Sequence, residues 1–177
     1  MSSVIAFAGS NSSTSINFKL VSYTVNQLEG INCEHLNMSL YPFPMFSEDY
    51  EKENGYSNSL VELCNDIKKV NGLLVSVNEH NGYPSAYFKN LVDWLSRVDK
   101  NFLANTKILL MATSPGKRGA QNSLSASEKL LTRFGGEVVA TFSLPSFYEQ
   151  FDDKSGIKDV TLNAAYKEAI GTFISKL

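Results

Sequence analysis

The sequence predicts an α/β protein built on one parallel sheet with helices on both faces. Two observations carry this: short continuous apolar runs alternate with segments of helical period from end to end, and no two runs are joined as a tandem hairpin. The length of 177 residues suits one domain over 1–177. The 43% hydrophobic and 19% charged content is that of a globular chain with a sizeable core.

Each element has its own signal. Val4 to Ala8 is an apolar run ending at Gly9-Ser10 and reads as a strand buried on both faces. Ile16, Leu20, Val21, Thr24, Val25 and Leu28 then share one helical face, and Gly30 stops that helix. Ile31 to Asn37 is a weaker strand, and Ser39 to Tyr56 reads as a long loop with Pro42, Pro44 and several aromatics. Leu60, Leu63, Cys64, Ile67 and Val70 mark a second helix, and Gly72 to Val77 a third strand. Pro84 suits the first position of the next helix, whose apolar face is Phe88, Leu91, Val92, Leu95 and Val98. Ile108 to Ala112 is a fourth strand, followed by a helix from Ala120 to Phe134 that Gly135-Gly136 ends. Glu137 to Phe142 is the fifth strand, and a last helix runs from Asp159 to Lys176.

Composition narrows the function classes. A net charge of −2, from 16 basic and 18 acidic residues, gives no basic stripe for nucleic acid and no polybasic membrane patch. No apolar stretch approaches the roughly 20 residues of a membrane span, and the N-terminus lacks the pattern of a signal peptide. A cytoplasmic location is therefore expected. Cys33 and Cys64 form no CxxC pair and read as reduced thiols, although their spacing alone leaves one disulfide open. His35 and His80 share no local motif, and neither HExxH nor GxSxG occurs, so zinc chemistry and Ser-His-Asp hydrolysis have no support. With few side chains suited to covalent chemistry, a borrowed cofactor is the expected source of reactivity.

In a doubly wound sheet ligands bind beyond the C-terminal strand ends, which directs attention to the loops after strands one, three and four. The first, Gly9 to Asn17, carries five hydroxyl side chains and opens a helix, where free amides and the helix dipole attract a phosphate. It is neither GxxxxGK[ST] nor GxGxxG, and a capped polar turn explains it equally well. The second, Asn78 to Pro84, contains Asn81-Gly82. This is either plain turn chemistry or a place where backbone approaches a flat ligand. Glu79 reads as a capping or solvated carboxylate, and His80 as solvent-facing. The third, Ser114 to Ala120, has Gly116 and Gly119 three apart. Its adjacent Lys117 and Arg118 either form a solvated basic turn or meet an anionic dinucleotide.

Taken together the three loops resemble the NADPH-dependent FMN reductase family over nearly the whole chain. The family's GSxRxxSxN motif is matched by Gly9, Ser10, Ser15 and Asn17, with Ser12 standing where the family often has arginine. Its PEYNGSxPxxLKNxxDWL motif is matched by Glu79, Asn81, Gly82, Lys89, Asn90, Asp93, Trp94 and Leu95. Asn78 replaces the proline and His80 the tyrosine. The resemblance implies a flavodoxin-like three-layer sandwich with strand order 2-1-3-4-5. It also implies FMN as cofactor, NADPH or NADH as co-substrate, and a homodimer or homotetramer acting on a small-molecule electron acceptor. The FMN phosphate is expected at Ser10, Ser12, Ser15, Ile16 and Asn17. The ring edge is expected at Glu79, His80, Asn81 and Gly82, with Ser114, Gly116 and Gly119 closing the other side. No residue is expected to be catalytic or to bind metal. Trp94 reads as core or subunit interface more readily than as a cofactor contact, and Lys89 with Asp93 as a helical ion pair. Two alternatives stand beside the reductase. One is a flavodoxin-type electron carrier, and the other is an FMN-free binding protein, motivated by Ser12.

Overall fold

In the computed structural model, which describes residues 2–177, five strands form one parallel sheet. They are β1 (Ser3–Ala8), β2 (Asn32–Leu36), β3 (Gly72–Val77), β4 (Lys107–Thr113) and β5 (Glu137–Leu144). Their order is β2-β1-β3-β4-β5, the order the family resemblance implies. The chain moves outward from β1 to β2 and then returns to β3 on the other side of β1. The switch point therefore lies between β1 and β3.

The helices are α1 (Ile16–Val25), α2 (Glu48–Asn54), α3 (Asn58–Lys69), α4 (Ala86–Val98), α5 (Gln121–Arg133), α6 (Phe147–Gln150) and α7 (Val160–Lys176). Alternation along the strands divides the core in two. Ile5, Phe7, Leu73 and Val75 pack with the apolar faces of α3, α4 and α5. Val4, Ala6, Leu74, Leu109 and Met111 pack with α1 and α7 on the opposite face. The sheet is thus the middle of three layers. No helix of the described residues is long and apolar enough to cross a membrane.

Several details differ from the sequence reading. α1 ends at Val25 with Asn26 as its C-cap, short of Leu28 and of the Gly30 read as its stop. The segment expected as a loop over 39–56 contains α2, a helix with no buried residue that Ser47 caps by accepting from the Tyr50 N–H at 3.0 Å. Pro84 is not the first residue of α4. It pairs in a two-residue hairpin with Glu79, and Ser85 caps the helix by accepting from the Phe88 N–H at 3.1 Å. The fifth strand runs two residues beyond Phe142, to Leu144, because Ser143 and Leu144 pair with Ala112 and Thr113. Cys33 and Cys64 are both free thiols.

Candidate functional site

A cleft of about 600 Å³ opens beyond the C-terminal ends of β1, β3 and β4, a volume within the range of small-molecule and cofactor pockets. Its first wall is the β1–α1 loop. Gly9 begins that loop because α4 lies against it: a Cβ at Gly9 would stand 2.6 Å from Cδ2 of Phe88. Ser85 Oγ also donates to the Gly9 carbonyl at 2.8 Å, so the helix cap and the loop are fixed together. Beyond Gly9 the hydroxyls organise the turn. Ser10 Oγ accepts from the Ser12 N–H, Ser12 Oγ accepts from the Thr14 N–H, and Ser15 Oγ caps α1 by accepting from the Phe18 N–H at 3.2 Å. The amides of Ile16 and Asn17, the first two of α1, have no partner among the described residues. They and the dipole of α1 make the loop an anion cradle without a charged side chain.

The side chain of Asn17 ties α1 to the sheet. It is 1% exposed and points into the sheet. Its Oδ1 accepts from Ser76 Oγ at 2.7 Å and from the Thr113 N–H at 3.1 Å, and its Nδ2 donates to the Thr113 carbonyl at 3.2 Å. The carboxamide therefore bolts α1 to the ends of β3 and β4. Only its backbone N–H remains for an anion.

The second wall comes from Asn78 to His80 and from Ser85 to Tyr87. Glu79 accepts from the Ser123 N–H at 3.0 Å, and Ser123 Oγ donates to the Asn78 carbonyl at 2.8 Å. The Glu79 carboxylate thus caps the first turn of α5 from a distance. α5 needs this because its own N-cap position is Ala120, at φ 61°, with no side-chain bond. His80 is exposed, with Nε2 2.9 Å from Nδ2 of Asn78. Asn81 and Gly82 lie at the tip of the hairpin with φ of 53° and 82°, the conformation a two-residue Asn-Gly turn requires, and they do not line the cleft.

The third wall is Thr113 to Pro115. Gly116 and Gly119 lie outside the cleft lining. A Cβ at Gly119 would stand 2.3 Å from Ser143 Oγ, and φ there is 58°, so this glycine serves the close approach of the turn to β5. Of the expected site residues, the structure brings together Ser10, Ser12, Ser15, Ile16, Asn17, Glu79, His80 and Ser114. It does not bring Asn81, Gly82, Gly116 or Gly119 to the same cleft.

Sequence reasoning did not place Tyr148 at the site, and Phe43 and Met45 belong to the long loop read over 39–56. All three line the cleft. The loop carrying Phe43 and Met45 is held by Tyr87, whose hydroxyl donates to the carbonyls of Met38 at 3.2 Å and Tyr41 at 2.9 Å. Burial pushes the Tyr87 phenol far above its ordinary range, so it remains a donor. Trp94 belongs to the support rather than to the cleft. It is 2% exposed, and its Nε1 donates to the Pro44 carbonyl at 2.7 Å. Lys89 and Asp93 form the expected ion pair at 2.7 Å. No Lys or Arg lines the cleft.

A doubly wound parallel sheet with a polar, uncharged loop at its switch point is of the flavodoxin-like fold class. The chain belongs to the NADPH-dependent FMN reductase family, whose model matches residues 2–149. It is accordingly an NAD(P)H-dependent flavin oxidoreductase, with FMN as cofactor and NAD(P)H as co-substrate. A Mycoplasma pneumoniae protein described as an uncharacterized MG342 homolog is 28% identical over 155 residues, 85% of this chain and 91% of that one. The quinone reductase of Escherichia coli K12 is 28% identical over 81 residues, 46% of this chain and 43% of its own. The solved structure of FerB, a flavoenzyme NAD(P)H:(acceptor) oxidoreductase from Paracoccus denitrificans, superposes with a TM-score of 0.77 at 20% identity, covering 99% of each chain, which shows the shared fold.

Proposed function

We propose that residues 1–177 form one FMN-binding domain, with the phosphate at the β1–α1 loop and the ring between the second and third walls. The observation that carries this is the pair of unpartnered amides at Ile16 and Asn17, set among Ser10, Ser12 and Ser15 at the mouth of a cleft of suitable size. Bound there, FMN supplies acceptance of a hydride from the nicotinamide and its delivery as two electrons to a second, small acceptor. The protein's part is binding and orientation. Main-chain amides hold the anion, the Asn17 bolt fixes their direction, and Glu79 fixes the second wall by engaging α5. Phe43 and Met45 line the cleft, where their apolar side chains would exclude water from the reacting face.

Quinones are the acceptor class we favour, on the match to a quinone reductase. Leu40, Met45, Tyr83 and Tyr148 are 69% to 74% exposed, and Met45 and Tyr148 border the cleft. Of these, Leu40 and Tyr83, which do not line the cleft, support a homodimer that leaves the cleft mouth open, formed by a chain working in the cytoplasm. Purified protein titrated with FMN should develop a bound-flavin spectrum at one FMN per chain and then oxidise NADPH in the presence of a benzoquinone. FMN uptake without nicotinamide oxidation would instead identify an electron carrier, and no uptake would overturn the assignment.

A further inference from the structure

The cleft is lined by no cationic side chain, yet a dinucleotide reductant is polyanionic. Four basic residues lie within three positions of cleft-lining residues. Lys19 is paired with Asp153 at 3.0 Å and Lys89 with Asp93 at 2.7 Å. Lys117 and Arg118 form no ion pair among the described residues and are exposed. The unneutralised positive charge beside the cleft is thus concentrated on the rim that follows Pro115.

That rim is rigid. Lys117 and Arg118 occupy the two central positions of a turn closed by the Gly119 N–H donating to the Gly116 carbonyl at 3.2 Å. The turn is fixed at both ends. The Gly116 carbonyl also accepts from the Ser146 N–H at 3.0 Å, and the Gly119 carbonyl accepts from Ser143 Oγ at 2.8 Å. The same bonding holds an aromatic platform next to it. The Phe147 N–H donates to the Ser114 carbonyl at 3.0 Å, and the adjoining Tyr148 lines the cleft with 71% of its surface exposed. Buried Phe147 supports that ring edge-on, at 5.7 Å and 84°. Glu149 is the one carboxylate of the 146–150 segment, against two cations on the turn.

An exposed aromatic ring on a segment hydrogen-bonded to a turn that carries two unpaired cations suits a purine with an extra phosphate. We propose that the Lys117–Arg118 turn and the Tyr148 ring form a subsite for the 2′-phosphoadenosine half of NADPH, and that these residues set the choice of NADPH over NADH. This inference rests on the flavin-reductase reading of the cleft. Tyr148 stacks the adenine of either nucleotide, whereas Lys117 and Arg118 act only on the 2′-phosphate. The preference is therefore electrostatic and weakens with salt.

The test is calorimetric titration with 2′,5′-ADP and with 5′-AMP, for the wild type, the double variant K117A/R118A, and Y148A. The wild type should bind 2′,5′-ADP roughly five- to thirtyfold more tightly than 5′-AMP at low salt. K117A/R118A should bring the two ligands to equal affinity. Y148A should weaken both by a similar factor of roughly five or more. The kcat/KM ratio for NADPH over NADH should fall with K117A/R118A by the same factor as the 2′,5′-ADP preference. Equal binding of the two probes by the wild type, or an unchanged preference in K117A/R118A, overturns the inference. An FMN titration run in parallel separates the two readings: intact FMN uptake with no 2′-phosphate discrimination removes this subsite alone. The nucleotide titration decides the subsite whether or not FMN is bound.

Discussion

Asn17 and Thr113 are joined by two hydrogen bonds, the Thr113 N–H donating to Oδ1 at 3.1 Å and Nδ2 donating to the Thr113 carbonyl at 3.2 Å. The side chain thus satisfies both main-chain groups of the last β4 residue, as a neighbouring strand would, and it also accepts from Ser76 Oγ. Removing it leaves three buried polar groups unpaired. Asn17→Ala should cost about 2–4 kcal/mol in urea unfolding. It should also weaken FMN binding at temperatures where the fold persists, because the α1 amides lose their fixed direction.

Ser12 stands where the family resemblance places an arginine, and no Lys or Arg lines the cleft. Binding of FMN by the wild type should accordingly change little between low and moderate salt. Ser12→Arg should tighten binding by roughly tenfold at low salt and make it salt-dependent. Flavin fluorescence quenching at two ionic strengths reads both effects.

The Glu79 carboxylate accepts from the Ser123 N–H at 3.0 Å and is the side-chain cap that α5 otherwise lacks. Glu79→Ala should destabilise by about 1–2 kcal/mol, and Glu79→Gln by less, since an amide oxygen can still accept. Hydrogen exchange should show the loss concentrated in the first turn of α5.

Much of this arrangement is legible in the sequence and some of it is not, for physical reasons. Apolar-rich runs such as Val4–Ala8 and Gly72–Val77 identify buried strands because both faces of a central parallel strand are covered. The helix after Pro84 declares itself through Phe88, Leu91, Val92 and Leu95, which are all buried. α2 is invisible to that signal because none of Glu48–Asn54 is buried, leaving only the Ser47 cap and an acidic first turn to betray it. Pro84 misleads because the hydroxyl of Ser85, one residue later, fixes the helix start. Glu79 is readable as a capping group, but its target lies 44 residues away. The inward turn of Asn17 and the arrival of Tyr148 at the cleft are tertiary facts with no local periodicity. Gly116 and Gly119 suggest ligand approach in the sequence, whereas the space at Gly119 is taken by β5 itself.

Two phenols, those of buried Tyr166 and half-buried Tyr87, give the protein an alkaline limit. Burial raises Tyr87 and Tyr166 well above the ordinary tyrosine value in the folded state. Above roughly pH 10 the unfolded chain loses these protons while the folded chain keeps them, so stability is full below that pH and falls as pH rises further. Unfolding free energy measured at pH 8 and pH 11 should drop in the wild type. The drop should be smaller in the Tyr87→Phe/Tyr166→Phe double variant, whose stability at pH 8 is already lower through lost hydrogen bonds.

The account turns on uncharged groups at the start of α1 gripping an anion, and comparing FMN with riboflavin, which lacks the phosphate, tests that directly. Ser15→Asp is the informative variant, because aspartate caps a helix as well as serine does but brings a negative charge to the cradle. The wild type should bind FMN at least roughly tenfold more tightly than riboflavin. Ser15→Asp should keep its unfolding midpoint and riboflavin affinity while losing most of that preference. Equal affinity for FMN and riboflavin in the wild type, or an undiminished preference in Ser15→Asp, would contradict the account.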